Sequence, residues 1–135
     1  GAQSIAAMLA VTLSLTSLDV RYNGIRGGSA SQLSAVVLGN SNMGSFNEIP
    51  IMEIRGKTLE SLNLDNKGIG FVGALVVAGL IPIMTSLLSL NVSLNDLKGS
   101  GKALGEGLKT NSSIKKLEMS NCKLDPEDVM CLADG

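Results

Sequence analysis

The residues of this chain best spaced to do chemistry are glycines. Gly68-Ile69-Gly70-Phe71-Val72-Gly73 spells G-x-G-x-x-G, the pattern with which a strand-to-helix turn brings bare backbone amides up to a pyrophosphate. A dinucleotide site also needs an acid about 20 residues further on to hold the ribose. Here no acidic residue occurs before Asp96. Gly99-Ser100-Gly101-Lys102 has the look of a phosphate loop, but lacks its upstream glycine and the Ser/Thr that follows the lysine. Nucleotide binding through Gly68–Gly73 is therefore kept only as a minor alternative. The chain has no histidine, so the usual proton shuttle and the usual activator of a serine nucleophile are both missing. Cys122 and Cys131 make no Cys-x-x-Cys pair, which argues against zinc. The expectation is a non-enzyme without cofactor or metal.

The same glycines have a structural reading. Gly27 and Gly28, Gly68 and Gly70, and Gly99 and Gly101 recur in phase with a repeating unit, as turn residues do. Four segments carry that unit: Leu15-x-x-Leu18-x-Val20-x-x-Asn23-x-Ile25, Leu59-x-x-Leu62-x-Leu64-x-x-Lys67-x-Ile69, Leu87-x-x-Leu90-x-Val92-x-x-Asn95-x-Leu97 and Ile114-x-x-Leu117-x-Met119-x-x-Cys122-x-Leu124. The anchors Leu59, Leu87 and Ile114 lie 28 and 27 residues apart, room for one short strand and one helix per repeat. Helical periodicity falls between the strands, over about 28–39, 70–81 and 99–111. An opening helix is expected over Ser4–Val11. Asp125-Pro126-Glu127-Asp128 starts a last helix over about 126–133, with a capping acid, a proline in the first turn and acids at the positive helix end.

The stretch from Leu33 to Thr58 is irregular, and two strand registers fit it. A strand read through Leu33, Val36 and Leu38 leaves only 18 residues after Leu15, whereas one starting at Met43 restores a 28-residue spacing and puts Phe46 at the Leu18 position. The second register is favoured, with Glu48 turned outward by the Ile49-Pro50 step and residues 49–57 as a short connection or single helical turn.

The 135 residues suit one domain, 1–135, of four to five repeats, irregular at 40–58. Apolar residues make up 44% and aromatics only 2%, so the core must be aliphatic, with scattered methionines as gap-fillers. Eleven basic against twelve acidic residues leave a net charge of -1, no footprint for nucleic acid or anionic lipid. No charge occurs between Gly68 and Asn95, and Ile69–Val92 is long enough to cross a bilayer. Pro82, three glycines and the repeat pattern in its second half argue for a buried segment instead. No basic segment precedes an apolar run at the N-terminus, so no secretory signal is expected.

With this strand, helix and period, the chain resembles the ribonuclease-inhibitor class of leucine-rich repeats, the class that also forms the repeat region of NOD-like receptors. The resemblance covers Ser4 to about Ala133 and is weakest over Asn40–Thr58. It implies an α/β leucine-rich-repeat solenoid, a short right-handed horseshoe arc with parallel strands on the concave side and helices on the convex side. It also implies a ladder in which Asn23, Asn95 and Cys122 satisfy backbone groups of a neighbouring turn, with Lys67 as the departure. Cys122 then reads as a free buried thiol, although a disulfide to Cys131 fits on spacing alone.

Within each strand, residues between the inward anchors face solvent: Ser17, Asp19, Arg21 and Tyr22; Asn47; Ser61, Asn63 and Asp65; Ser89, Asn91 and Ser93; Lys116, Glu118 and Ser120. From this strip Asp19, Arg21, Tyr22, Asn63, Asp65, Asn91 and Glu118 are the candidate protein-binding residues. Arg21 and Tyr22 are its only members of the types enriched in interface hot spots. The expected function is a protein–protein interaction scaffold, a cytoplasmic repeat segment of a larger intracellular protein, with no nucleic-acid partner and no membrane span. The alternatives are a structural spacer, self-associating through open solenoid ends, and a solvated face with no specific role.

Overall fold

A computed structural model describes residues 16–134 of the chain; the expected opening helix and the anchor Leu15 lie outside them. In order come β1 (Ser17–Leu18), α1 (Gly27–Gly39), β2 (Ser45–Phe46), α2 (Ile51–Arg55), β3 (Ser61–Asn63), α3 (Gly70–Leu80), a single 3-10 turn (Ile81–Ile83), β4 (Ser89–Asn91), α4 (Gly101–Lys109), β5 (Lys116–Glu118) and α5 (Pro126–Asp134). Short strands thus alternate with helices. All strand pairs are parallel, in the register set by the repeat: Leu62 beside Leu90 beside Leu117, and Leu18 beside Phe46. The Met43 register is the one adopted.

One uninterrupted strand layer was the expectation, and the structure corrects it. The strands form two sheets, β1-β2 and β3-β4-β5. The cause is local. Backbone groups alternate in direction along a strand, so Ser45 and Asn47 donate to Thr16 and Leu18 while Phe46 faces the other way. There Phe46 exchanges two hydrogen bonds with Ile49, at 3.1 and 2.8 Å, across a two-residue turn in which Asn47 (φ 50°) and Glu48 (φ 67°) are both left-handed. That is the backbone a tight hairpin turn requires. The edge that would have met β3 is spent on this hairpin, which also turns Glu48 outward.

The core is aliphatic, as the composition demands, and runs through both sheets: Leu33, Val37, Met43, Phe46, Ile49, Ile51, Leu64, Ile69, Leu87 and Leu90 are all fully buried. α3 is apolar on every side, with Val72, Ala74, Val76, Val77, Ala78 and Leu80 buried, because it packs between α1 and α4. The uncharged stretch 69–92 is accounted for by this helix, the proline-containing turn and β4. No described helix is long and apolar enough to cross a membrane. α2 is only one turn long, so α1 packs directly on α3, and Arg55 donates to the carbonyls of Asn40 (2.7 Å) and Leu38 (2.8 Å) at the end of α1. The glycines of α4 set the helix spacing. A Cβ at Gly101 would lie 2.4 Å from the Asp128 Cα, and one at Gly107 would lie 2.7 Å from the Ala78 carbonyl oxygen.

Candidate interaction surface

The polar strip read from the sequence runs along each strand into the turn that follows, and several of its residues close those turns. Asp19 Oδ1 accepts the Arg21 N–H at 3.1 Å, Asn63 Oδ1 the Asp65 N–H at 3.0 Å, and Asn91 Oδ1 the Ser93 N–H at 2.9 Å. An acceptor side chain reaching the amide two residues on is what Asp and Asn do well. Three of the seven candidates therefore hold the same turn in three repeats. In the last repeat Glu118 stands at this position and pairs with Lys116 at 3.1 Å. The turn there is held differently, by the Ser120 N–H donating to Ser93 Oγ at 2.9 Å. Ser93 is buried, not solvent-facing as expected.

Arg21 links three segments. Its guanidinium donates to both Asp19 oxygens, to Glu48 Oε2 at 2.8 Å and to the Lys67 carbonyl at 2.8 Å. It spans the gap between the sheets, from the turn after β1 to the turn after β3. The Arg21 hydrogen bonds, side-chain first and then backbone, hold the Asp19 carboxyl below the usual carboxylate range despite a small opposing effect of burial. Asn47, also expected at the surface, is buried. It accepts the Val20 N–H at 2.8 Å and reaches the Ile69 carbonyl at 3.5 Å, a second bridge across the same gap. Position 47 sits on the side of β2 that faces β1, and only the hairpin made its burial necessary.

The ladder residues do what the resemblance implied where a preceding turn is described. Asn95 accepts from the N–H groups of Lys67 (3.2 Å) and Ile69 (3.1 Å) and donates to the Leu64 carbonyl at 2.8 Å. The Lys67 position joins through its backbone, so its departing side chain does not break the ladder. Cys122 Sγ donates to the Val92 carbonyl at 3.2 Å. Burial pushes this thiol up, against the opposing pull of the Asn95 and Leu94 backbone, and both cysteines are free. Asn23, on the first repeat, bonds its own turn, at Val20 and Arg21, among the described residues.

The two glycine motifs fare differently. In the second, the Gly99 and Gly101 N–H groups both donate to Asp128, at 2.9 Å each. The place of a phosphate is filled by the protein's own carboxylate. The sequence places Asp128 only among the acids at the start of its own helix; it is buried, and it caps the helix of the preceding repeat as well as accepting the Asp125 N–H at 3.1 Å. Burial alone would raise its carboxyl, but the Gly99, Gly101 and Asp125 hydrogen bonds outweigh that and lower it. In the first motif the Ile69 N–H is taken by Asn95, and the Tyr22 ring lies over Gly68, where a Cβ would meet its hydroxyl at 2.3 Å.

The outer face of Tyr22 is open, although the Arg21 guanidinium lies 5.8 Å from its ring centroid. The residue is 85% exposed, held in the left-handed region (φ 65°), as are Asn66, Leu94 and Asn121 at the same place in later repeats. This row of turns borders a cavity of about 530 Å³, lined among others by Tyr22, Arg26, Gly70, Phe71 and Leu94. Leu94 is itself 49% exposed. Arg26 lies 5.6 Å from the Phe71 ring centroid and is paired with Asp96 at 3.2 Å. Leu94 and Phe71 were not among the sequence candidates. The signal that would have found Leu94 is an aliphatic residue in a turn position that other repeats fill with Tyr or Asn.

Comparison with known families bears on what such a row of turns belongs to. The family model described as Leucine Rich repeat matches residues 13–34, 84–101 and 110–133. Three segments of the chain thus match leucine-rich repeats. The matched segments cover the first repeat and the last two, and leave out the hairpin-bearing repeat and the coil that carries Lys67. No curated protein matches the chain. Leucine-rich repeats generally mediate protein–protein interaction and are typically not enzymes.

Proposed function

We propose that this leucine-rich-repeat chain is a protein-interaction scaffold of the ribonuclease-inhibitor class, an intracellular module with no catalytic role. Its strands would line the concave side of a short solenoid and its helices the convex side. Two free thiols suit a reducing compartment such as the cytoplasm. The observation that carries the site is the division of labour on the polar strip. Asp19, Arg21, Asn63 and Asn91 are occupied in turns and in the inter-sheet bridge, while Tyr22 and Leu94 both stand exposed on the lining of one cavity. Tyrosine is among the residue types enriched in binding hot spots, and binding sites are concavities lined by apolar and aromatic side chains. Asp65 and Glu118 would be rim contacts.

Replacing Tyr22 by alanine should weaken capture of a protein partner about thirtyfold, as loss of a hot spot does, and leave the unfolding midpoint unchanged. Arg21→Ala should instead lower the midpoint. Capture that survives Tyr22→Ala together with Leu94→Ser moves the site away from this rim.

A further inference from the structure

The last coil of the stack is less covered than the two described coils before it. Side chains of a later repeat complete the coils of β3 and β4: Asn95 bonds the coil of β3, and Cys122 and Asp128 bond the coil of β4. Burial follows the same order. Leu62 and Leu90 are 5% and 1% exposed, whereas Leu117, their equivalent in β5, is 39% exposed, and Val129 and Met130 of α5 in the same coil are also exposed. Among the described residues, β4 is the only strand that pairs with β5. The parity of the ladder settles what its other edge offers. Lys116 donates to Leu88, and Glu118 accepts from Val92, so their backbone groups face β4 while those of Leu117 face away.

Edge strands commonly carry charges that block further pairing. Here the charges are arranged otherwise. Lys116 and Glu118 flank Leu117 on one face and make an exposed pair, with side chains 69% and 40% accessible. A second copy placed antiparallel about Leu117 would set Lys116 opposite the partner's Glu118, and Glu118 opposite the partner's Lys116. The two Leu117 residues would then exchange their outward N–H and C=O groups. A parallel copy in the same register would face like charges with like, a destabilising arrangement on directly opposed strands.

We infer that the β5 edge is a self-complementary docking surface for a second copy of this chain, joined about a two-fold axis through Leu117 into one six-stranded sheet. Both ion pairs form on the same face, and the apolar end of the stack, with Leu117, Val129 and Met130, is covered by its own equivalent. This surface is separate from the Tyr22 rim, and its test does not depend on any other partner.

The test is a charge exchange read by analytical ultracentrifugation of the 135-residue chain. The unaltered protein should sediment at twice the protomer mass. Lys116→Glu alone and Glu118→Lys alone should each be monomeric, with the dimer dissociation constant raised roughly a hundredfold or more by opposed like charges. An equimolar mixture of the two variants should recover the dimer, because each then meets its complement at both positions. Circular dichroism of both variants should match the unaltered chain, since the two side chains are exposed. A monomeric unaltered protein at high concentration would overturn the inference. So would single variants that still dimerise, or a mixture that stays monomeric.

Discussion

The β1-β2 region and the β3-β4-β5 region are written in the same repeat and held together by different means. In the second, backbone pairing runs strand to strand, and polar side chains of one repeat (Asn95, Cys122, Asp128) satisfy the backbone of the one before. In the first, the truncated repeat curls its outer edge into a hairpin at Phe46–Ile49, and the break is crossed by side chains, Arg21 and Asn47. A repeat protein can therefore lose a ladder step without losing the stack, provided that helices still pack across the gap and buried polar groups still find partners.

Removing a ladder side chain should be the most damaging test of this contrast. Asn95→Ala strands the Lys67 and Ile69 amides and the Leu64 carbonyl in a buried setting, and should cost about 3–4 kcal/mol in denaturant unfolding. Asn47→Ala, which removes one good bond and one long one, should cost about 1–2 kcal/mol. Equal losses would mean that the gap is bridged as firmly as the ladder.

Asp128 comes next. Asp128→Asn keeps one acceptor oxygen for three amide donors and should cost about 1–2 kcal/mol at neutral pH. Its carboxyl is lowered in the folded state, so its contribution is complete above the ordinary carboxylate value of about 4 and is lost as pH falls through the depressed one. The stability difference between the two proteins should accordingly shrink as the solution is acidified below about pH 4. A constant difference would mean that the carboxylate charge plays no part.

The smallest effect is expected at Glu48. Glu48→Gly relieves a left-handed residue in the hairpin turn but gives up a half-exposed ion pair with Arg21 and loosens the unfolded chain. The balance should stay within about 0.5 kcal/mol of zero by thermal unfolding.

The parts legible in the sequence are those fixed by periodicity. The helices at 27–39, 70–80 and 126–134, the Met43 register and the Leu62–Leu90–Leu117 row all follow from apolar spacing, turn glycines and a capping acid. What could not be read depends on contacts between coils. Asn47 looks like any strip residue until the hairpin brings Ile69 within reach, and Arg21 meets the Lys67 carbonyl across 46 positions of sequence. Asp128 was legible as a helix starter, but its second role needs the glycines of α4 to let α5 come close. Of the candidate surface, composition pointed to Arg21 and Tyr22 alike, without telling the bridging residue from the exposed one. It could not show that Asp19, Asn63 and Asn91 are needed at home, because the same oxygen that would greet a partner also closes a turn.

The central claim is that the strand layer is interrupted between β2 and β3. Native-state hydrogen exchange tests it amide by amide. Along β3, Leu64 donates to Asn91 at 2.7 Å and Leu62 sits in the ladder with β4, whereas Ser61 and Asn63 point their amides toward the break. Slow exchange at Leu62 and Leu64 with fast exchange at Ser61 and Asn63 is the predicted alternation. Equal protection at all four would mean that β2 and β3 are paired, and would contradict the account.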